Sequence, residues 1–187
     1  FTALVSNDDR LSASVFSVFS TFFCSQLMEK GTCSYEAVTS WTKNVDVFKL
    51  KKILIPVNVG NWHWIAAMVS MTEKSTQLCG PAPGPGGQNS DAQPRFEQML
   101  RFLKDEQFSK KGGKALPEAS SWRLVLQDPQ LPTQPNQCDC GVFVSALIHF
   151  SVLNHPFRRG SGHDPHLFAA DLRFKFTRSI MTEKIKF

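Results

Sequence analysis

The run Gln134-Pro135-Asn136-Gln137-Cys138-Asp139-Cys140-Gly141-Val142-Phe143 is polar and proline-punctuated up to Cys140, then apolar. Val142, Phe143, Ala146, Leu147 and Phe150 follow on helical spacing, which predicts a helix that opens at Cys140. A cysteine in that position is built as a nucleophile. A thiol attacks as the thiolate, and a free cysteine with a pKa of about 8.5 is only slightly ionised at neutral pH, so it needs help. The partial positive charge of a helix N-terminus is one source of help, and an imidazole that takes the proton is the other. The imidazole on offer is His63 in Trp62-His63-Trp64, at the mouth of an expected strand and between two indoles that would desolvate it.

A buried cysteine is more often a small core hydrophobe than a nucleophile. Cys140 departs from that pattern, since it sits between Asp139 and Gly141, follows a polar turn and precedes the apolar stripe. Cys138 has no such setting. The other constellations are weaker. His163-Asp164-Pro165-His166 has metal-capable side chains, but a proline lies inside it and no cysteine neighbours it, so a solvent loop is expected. Cys138 and Cys140 lack the two intervening residues of a zinc knuckle or a thioredoxin-like pair. The glycines from Gly80 to Gly87 lack the lysine and the strand-to-helix context of a phosphate loop. No metal and no cofactor is expected.

The elements that must position Cys140 and His63 are legible in outline. Ser6-Asn7-Asp8-Asp9 offers caps ahead of Leu11, Val15, Phe19, Phe22, Phe23 and Leu27, predicting a helix over about 8 to 29. Three short apolar runs, Lys52–Asn58, Trp64–Val69 and Ser75–Leu78, are separated by turn-like residues and predict a meander of buried strands. Pro56 has no N–H for a ladder and belongs at a strand edge or end. Gly80-Pro81-Ala82-Pro83-Gly84-Pro85-Gly86-Gly87 excludes helix and central strand, so a mobile loop is expected over about 80 to 94. Phe96, Met99, Leu100 and Leu103 mark a helix to about Lys111, ended by Gly112-Gly113. Trp122 to Leu126 is a last strand, and Leu167, Phe168, Leu172, Phe176 and Ile180 a final helix.

The 187 residues are enough for one domain with a sizeable core and too few for two ordinary ones, so a single domain over 1–187 is expected. The net charge of +5 comes from scattered lysines and arginines without interleaved aromatics, which gives no nucleic-acid motif. Five cysteines, at 24, 33, 79, 138 and 140, form an odd set without a disulfide framework, pointing to a reducing, intracellular compartment. No apolar run approaches the length of a membrane span, so no membrane partner is expected.

Several separated motifs together resemble the ubiquitin-like-protein proteases, the SUMO-specific (sentrin-specific) cysteine peptidases. Asn7-Asp8 with Leu11 is similar to the family's opening Leu-Asn-Asp-x-x-Ile, and Trp41-Thr42-Lys43 to Phe48 to the segment before its first strand. Ile55-Pro56-Val57-Asn58 with His63-Trp64 resembles its histidine strand. Gln134-x-Asn136-x-x-Asp139-Cys140-Gly141 reproduces its nucleophile motif, and Asp171-Leu172 resembles its closing segment less closely. The resemblance implies an α+β, papain-like cysteine peptidase fold with a central mixed sheet, helices on both sides and the nucleophile at a helix N-terminus. It implies Cys140 as nucleophile, His63 as general base and acid, and Gln134 as oxyanion donor. Trp64, Asn136 and Gly141 would contact substrate, with Trp64 roofing a channel for a Gly-Gly tail. The implied activity is cleavage after the C-terminal glycine of SUMO or a related modifier. Its partners would be that modifier and its lysine conjugates, met by a monomer in the nucleus or cytoplasm.

Two positions depart from the family pattern. The carboxylate that orients the histidine falls about 17 residues downstream in the family, where this chain has Gly80, and the Trp-Leu ahead of Asn-Asp is Val5-Ser6. Three readings stay open: a loop residue such as Asn89 or Asp91 orients His63; a carbonyl or water does so with weaker activity; or the domain binds a ubiquitin-like protein without turning it over.

Overall fold

Side chains alternate across β2 (Lys52–Val59): Ile53, Ile55 and Val57 enter one apolar cluster and Leu54 another. A strand buried on both faces needs cover on both, and the chain supplies helices to each. The computed structural model describes residues 16–27, 34–60, 62–79, 92–125, 131–132, 134, 136, 138–155, 157–158 and 164–182.

With β1 (Phe16–Val18), β3 (His63–Ser70), β4 (Ser75–Cys79) and β5 (Arg123–Val125), β2 forms a five-stranded sheet in the order β1-β2-β3-β4-β5. The three central strands are the expected antiparallel meander, and each outer strand runs parallel to its neighbour. Parallel neighbours require a crossover. One runs through α1 (Phe22–Leu27) and the 3-10 turns Glu36–Thr42 and Val47–Lys49, the other through α2 (Ala92–Lys110). Both crossovers pack on one face, where Phe23, Leu27, Val38, Met99, Phe102 and Leu103 meet Ile53, Ile55, Ala67 and Val69. On the other face α3 (Cys140–Val152) and α4 (Pro165–Met181) bring Phe143, Ala146, Ile148, Ala169 and Leu172 against Leu54 and Ala66. The α+β class, the mixed sheet and the helices on both sides are as expected.

Four boundaries differ from the sequence reading. The helix expected over 8 to 29 is a strand at Phe16–Val18 and a helix only at Phe22–Leu27, with residues 1–15 and 28–29 outside the described set. Phe16, Ser17 and Val18 pair with Lys52, Ile53 and Leu54, and a waiting sheet edge outweighs the weak helical signal of so short a run. The Pro/Gly-rich stretch 80–91 lies outside the described residues, but the loop expected to reach 94 ends earlier, because Ala92 opens α2. The last strand is Arg123–Val125, with Leu126 outside the described residues, while Trp122 is buried beside it in the core. Asp164 and Pro165, expected in a solvent loop, start α4: Asp164 Oδ1 accepts from the His166 and Leu167 N–H groups and Pro165 takes the first turn.

Other details follow the expected physics. The β1 ladder ends at Leu54, whose carbonyl accepts from Phe19 N–H at 2.9 Å, so among the described residues no strand flanks Pro56 on that side. α2 closes at Gly112 and Gly113, with φ of 65° and 77°, as the Gly113 N–H reaches back to Phe108 O at 2.8 Å.

Candidate active site

The β2–β3 turn places the histidine. Trp62 N–H donates to Val59 O at 3.3 Å, and Gly60 takes φ 61° to make the turn. A β-carbon at Gly60 would stand 2.9 Å from Trp62 Nε1, so a side chain there would collide with the indole that folds back over the turn. Trp62 remains 62% exposed, yet its ring lies 5.3 Å from the His63 ring, centroid to centroid. His63 is 3% exposed and its Nε2 is buried with no hydrogen-bond partner among the described residues. His63 is desolvated as expected, and the indole whose ring lies beside it is that of Trp62. A buried ring nitrogen without a partner is costly unless another group completes it, which marks it as a group awaiting one.

Cys140 is the first residue of α3 and is 5% exposed. Phe143 N–H makes the first helical bond, to Asp139 O at 3.0 Å. Among the described residues the N–H groups of Cys140, Gly141 and Val142 have no acceptor, and Asp139, though it occupies the N-cap, makes no side-chain cap bond. Unpaired first-turn N–H groups beside a nucleophile can receive negative charge that develops on a carbonyl oxygen.

The loop before the cysteine is held by Asn136. Its Oδ1 accepts from the N–H groups of Cys138 at 2.9 Å and Asp139 at 3.0 Å, and from the Cys138 thiol at 3.2 Å. Its Nδ2 donates to Asp139 Oδ2 at 2.6 Å. This is an Asx turn with an added carboxylate contact. The expectation that Asn136 contacts substrate meets a side chain whose oxygen and amide nitrogen already serve the loop. Gln134 is half-buried, and its Oε1 is buried without a partner, so its amide is uncommitted at that end.

The two motifs meet through their second members. A β-carbon built on Gly141 would lie 3.8 Å from Trp64 Cδ1, and Trp64 packs with Val142 against the α3 side of the core. The residue after His63 thus faces the residue after Cys140 across a space about one carbon wide. No hydrogen bond joins the Cys140 thiol to His63 among the described residues. Gly80, Asn89 and Asp91, the positions that bear on the orientation of His63, lie outside the described residues.

Arg173 was not visible to sequence reasoning. From α4, 34 residues beyond Asp139, it donates from Nε and Nη2 to Asp139 Oδ1 and from Nη2 to Cys138 O at 3.3 Å. Asp139 is 2% exposed, so this is a buried carboxylate with a designated cation. No sequence signal marks Arg173, since a basic residue on an amphipathic helix ordinarily faces water.

A family model described as the Ulp1 protease family, C-terminal catalytic domain, matches residues 4–179. The chain is 33% identical over 139 residues to a sentrin-specific protease of Caenorhabditis elegans, covering 74% of this chain and 18% of that protein. It is 28% identical over 154 residues to sentrin-specific protease 2 of Homo sapiens, covering 82% and 24%. The chain therefore spans about a fifth of the length of these relatives. Among solved structures it resembles the C-terminal Ulp1 protease domain in complex with Smt3, the yeast ortholog of SUMO, with a TM-score of 0.71 at 20% identity, over 99% of this chain and 74% of that one. It also resembles the SUMO protease Ulp1 with its catalytic cysteine oxidised to a sulfenic acid, with a TM-score of 0.72 at 21% identity, over 99% and 75%.

Proposed function

Since residues 4–179 match its model, the chain belongs to the Ulp1 protease family, C-terminal catalytic domain, and on that premise we propose that it is a thiol peptidase cleaving after the C-terminal glycine of SUMO or a related modifier. The observation that carries this is Cys140 at the head of α3, whose first-turn N–H groups have no acceptor among the described residues, with Gly141 beside it facing Trp64. Cys140 attacks the glycine carbonyl, His63 takes the thiol proton and returns it to the leaving amine, and water then releases the thioester. The first-turn N–H groups and the Gln134 amide receive the oxyanion. Trp64 and Gly141 bound a channel that suits a tail without side chains. The partners are the modifier, its precursor and its lysine conjugates.

A compartment in the nucleus or cytoplasm fits the thiols: Cys24, Cys138 and Cys140 are all free. No helix among the described residues is long and apolar enough to cross a membrane.

A second reading, binding without turnover, is favoured by Gly80, at the position where the resemblance sets the orienting carboxylate. One experiment separates them. SUMO bearing a C-terminal vinyl sulfone should form an adduct that Cys140→Ser abolishes. Retained binding with no adduct in the unaltered protein would overturn the peptidase reading.

A further inference from the structure

Asp139 stands at the N-cap of α3, a place where aspartate ordinarily turns its carboxylate onto the N–H groups of its own helix. Here it does not. Its φ of −93° and ψ of 2° are not the extended backbone of a capping residue, and the side chain makes no cap bond. The carboxylate is instead divided between two partners, Oδ2 to Asn136 Nδ2 and Oδ1 to the Arg173 guanidinium. Arg173 also donates to Cys138 O, so it grips the Cys138–Asp139 peptide as well as the side chain.

We propose that Arg173 is a positioning residue for the nucleophile: it restrains Asp139 from capping α3, and so keeps the first-turn N–H groups open for the oxyanion of the substrate. The inference rests on Cys140 being the nucleophile, and it assigns a task to α4 that the catalytic groups do not. Without Arg173, a buried carboxylate would lose its cation beside a set of unpaired N–H donors. The cheapest way to satisfy both is for Asp139 to relax to extended backbone and cap its own helix. The enzyme would then carry its own anion where the oxyanion must form. Asn136 holds the Asp139 N–H and Oδ2 but makes no contact to Oδ1, so without Arg173 that oxygen is free to turn.

The choice of variants follows. In Arg173→Met, kcat on a SUMO C-terminal fluorogenic substrate should fall by about 10-fold or more while KM changes little, since displaced or occupied oxyanion donors cost up to about 10²–10³. Arg173→Lys keeps one charged donor and should recover part of the loss. Removing the capping group as well, in Asp139→Ala/Arg173→Met, should raise kcat above that of Arg173→Met, whereas a loop that has merely lost a structural contact would fall further. Amide exchange by NMR reads the same event without activity: the Gly141 and Val142 N–H groups should become more protected in Arg173→Met. An unaltered protein that turns over substrate, with Arg173→Met equally active or the double variant no better than Arg173→Met, overturns the inference. Unchanged amide protection in Arg173→Met overturns it too, even if the unaltered protein proves inert and the peptidase reading has already failed.

Discussion

Gly141 faces Trp64 across a gap that would accept one more carbon: a β-carbon there would sit 3.8 Å from Trp64 Cδ1, an ordinary van der Waals contact. Alanine also suits a helix better than glycine by up to about 1 kcal/mol. Gly141→Ala should therefore melt at the same temperature or slightly higher, by calorimetry. Its KM for a Gly-Gly-tailed substrate should rise several-fold, because the added methyl narrows the space beside the indole. A lower melting temperature would mean that glycine is there for packing rather than for passage.

The resemblance sets Gly80 at the place of the carboxylate that orients the family's histidine. Replacing that group by an amide costs about 10⁴ in turnover in a serine protease. Gly80→Asp should raise the rate of SUMO–vinyl sulfone labelling by 10-fold or more. An unchanged rate would show that His63 already has an orienting group.

Cys24 reports on the core rather than the site. Burial pushes its thiol up to about 12, because the thiolate is penalised where the thiol is not. The folded chain thus holds this proton more tightly than the unfolded one. Stability from this group is complete below the ordinary thiol value and drains away as pH rises from there toward about 12. Thermal midpoints measured from pH 8 upward should fall more steeply for the unaltered protein than for Cys24→Ala. Burial also raises the Tyr35 phenol, a background shared by both proteins.

Glu106 is wholly buried, accepts from Tyr35 Oη at 2.7 Å and has Lys110 Nζ 2.8 Å away as an ion contact. It ties α2 to the crossover before β2. Glu106→Ala should lose about 3 kcal/mol in urea unfolding, because it removes the charged acceptor of Tyr35 and empties a wholly buried site, while Lys110 keeps the Thr42 and Val45 carbonyls. Tyr35→Phe, which removes one hydrogen bond to a charged acceptor, should lose about 2 kcal/mol. Equal, negligible losses would mean that water replaces both contacts.

The sequence by itself determined the central meander and the helix that opens at Cys140, and its separated motifs, through their resemblance, implied the family and its α+β class. These are local or sequential properties. The short apolar run at Lys52–Asn58, bounded by turn residues, predicts a strand, and the spacing of Val142, Phe143, Ala146 and Leu147 predicts a helix. Only the tertiary structure decided that Phe16–Val18 is a strand, since three residues gain a ladder solely because β2 presents an edge. Only it gave Asn136 its task, which is to fold the loop back on Cys138 and Asp139. The pairing of Asp139 with Arg173 was beyond any periodicity, because the two lie on elements far apart in sequence and meet only when α3 and α4 share one face of the sheet. Residue type and spacing reveal which groups can do chemistry. Which of their neighbours hold them ready depends on long-range packing, and that is written in no single stretch of the chain.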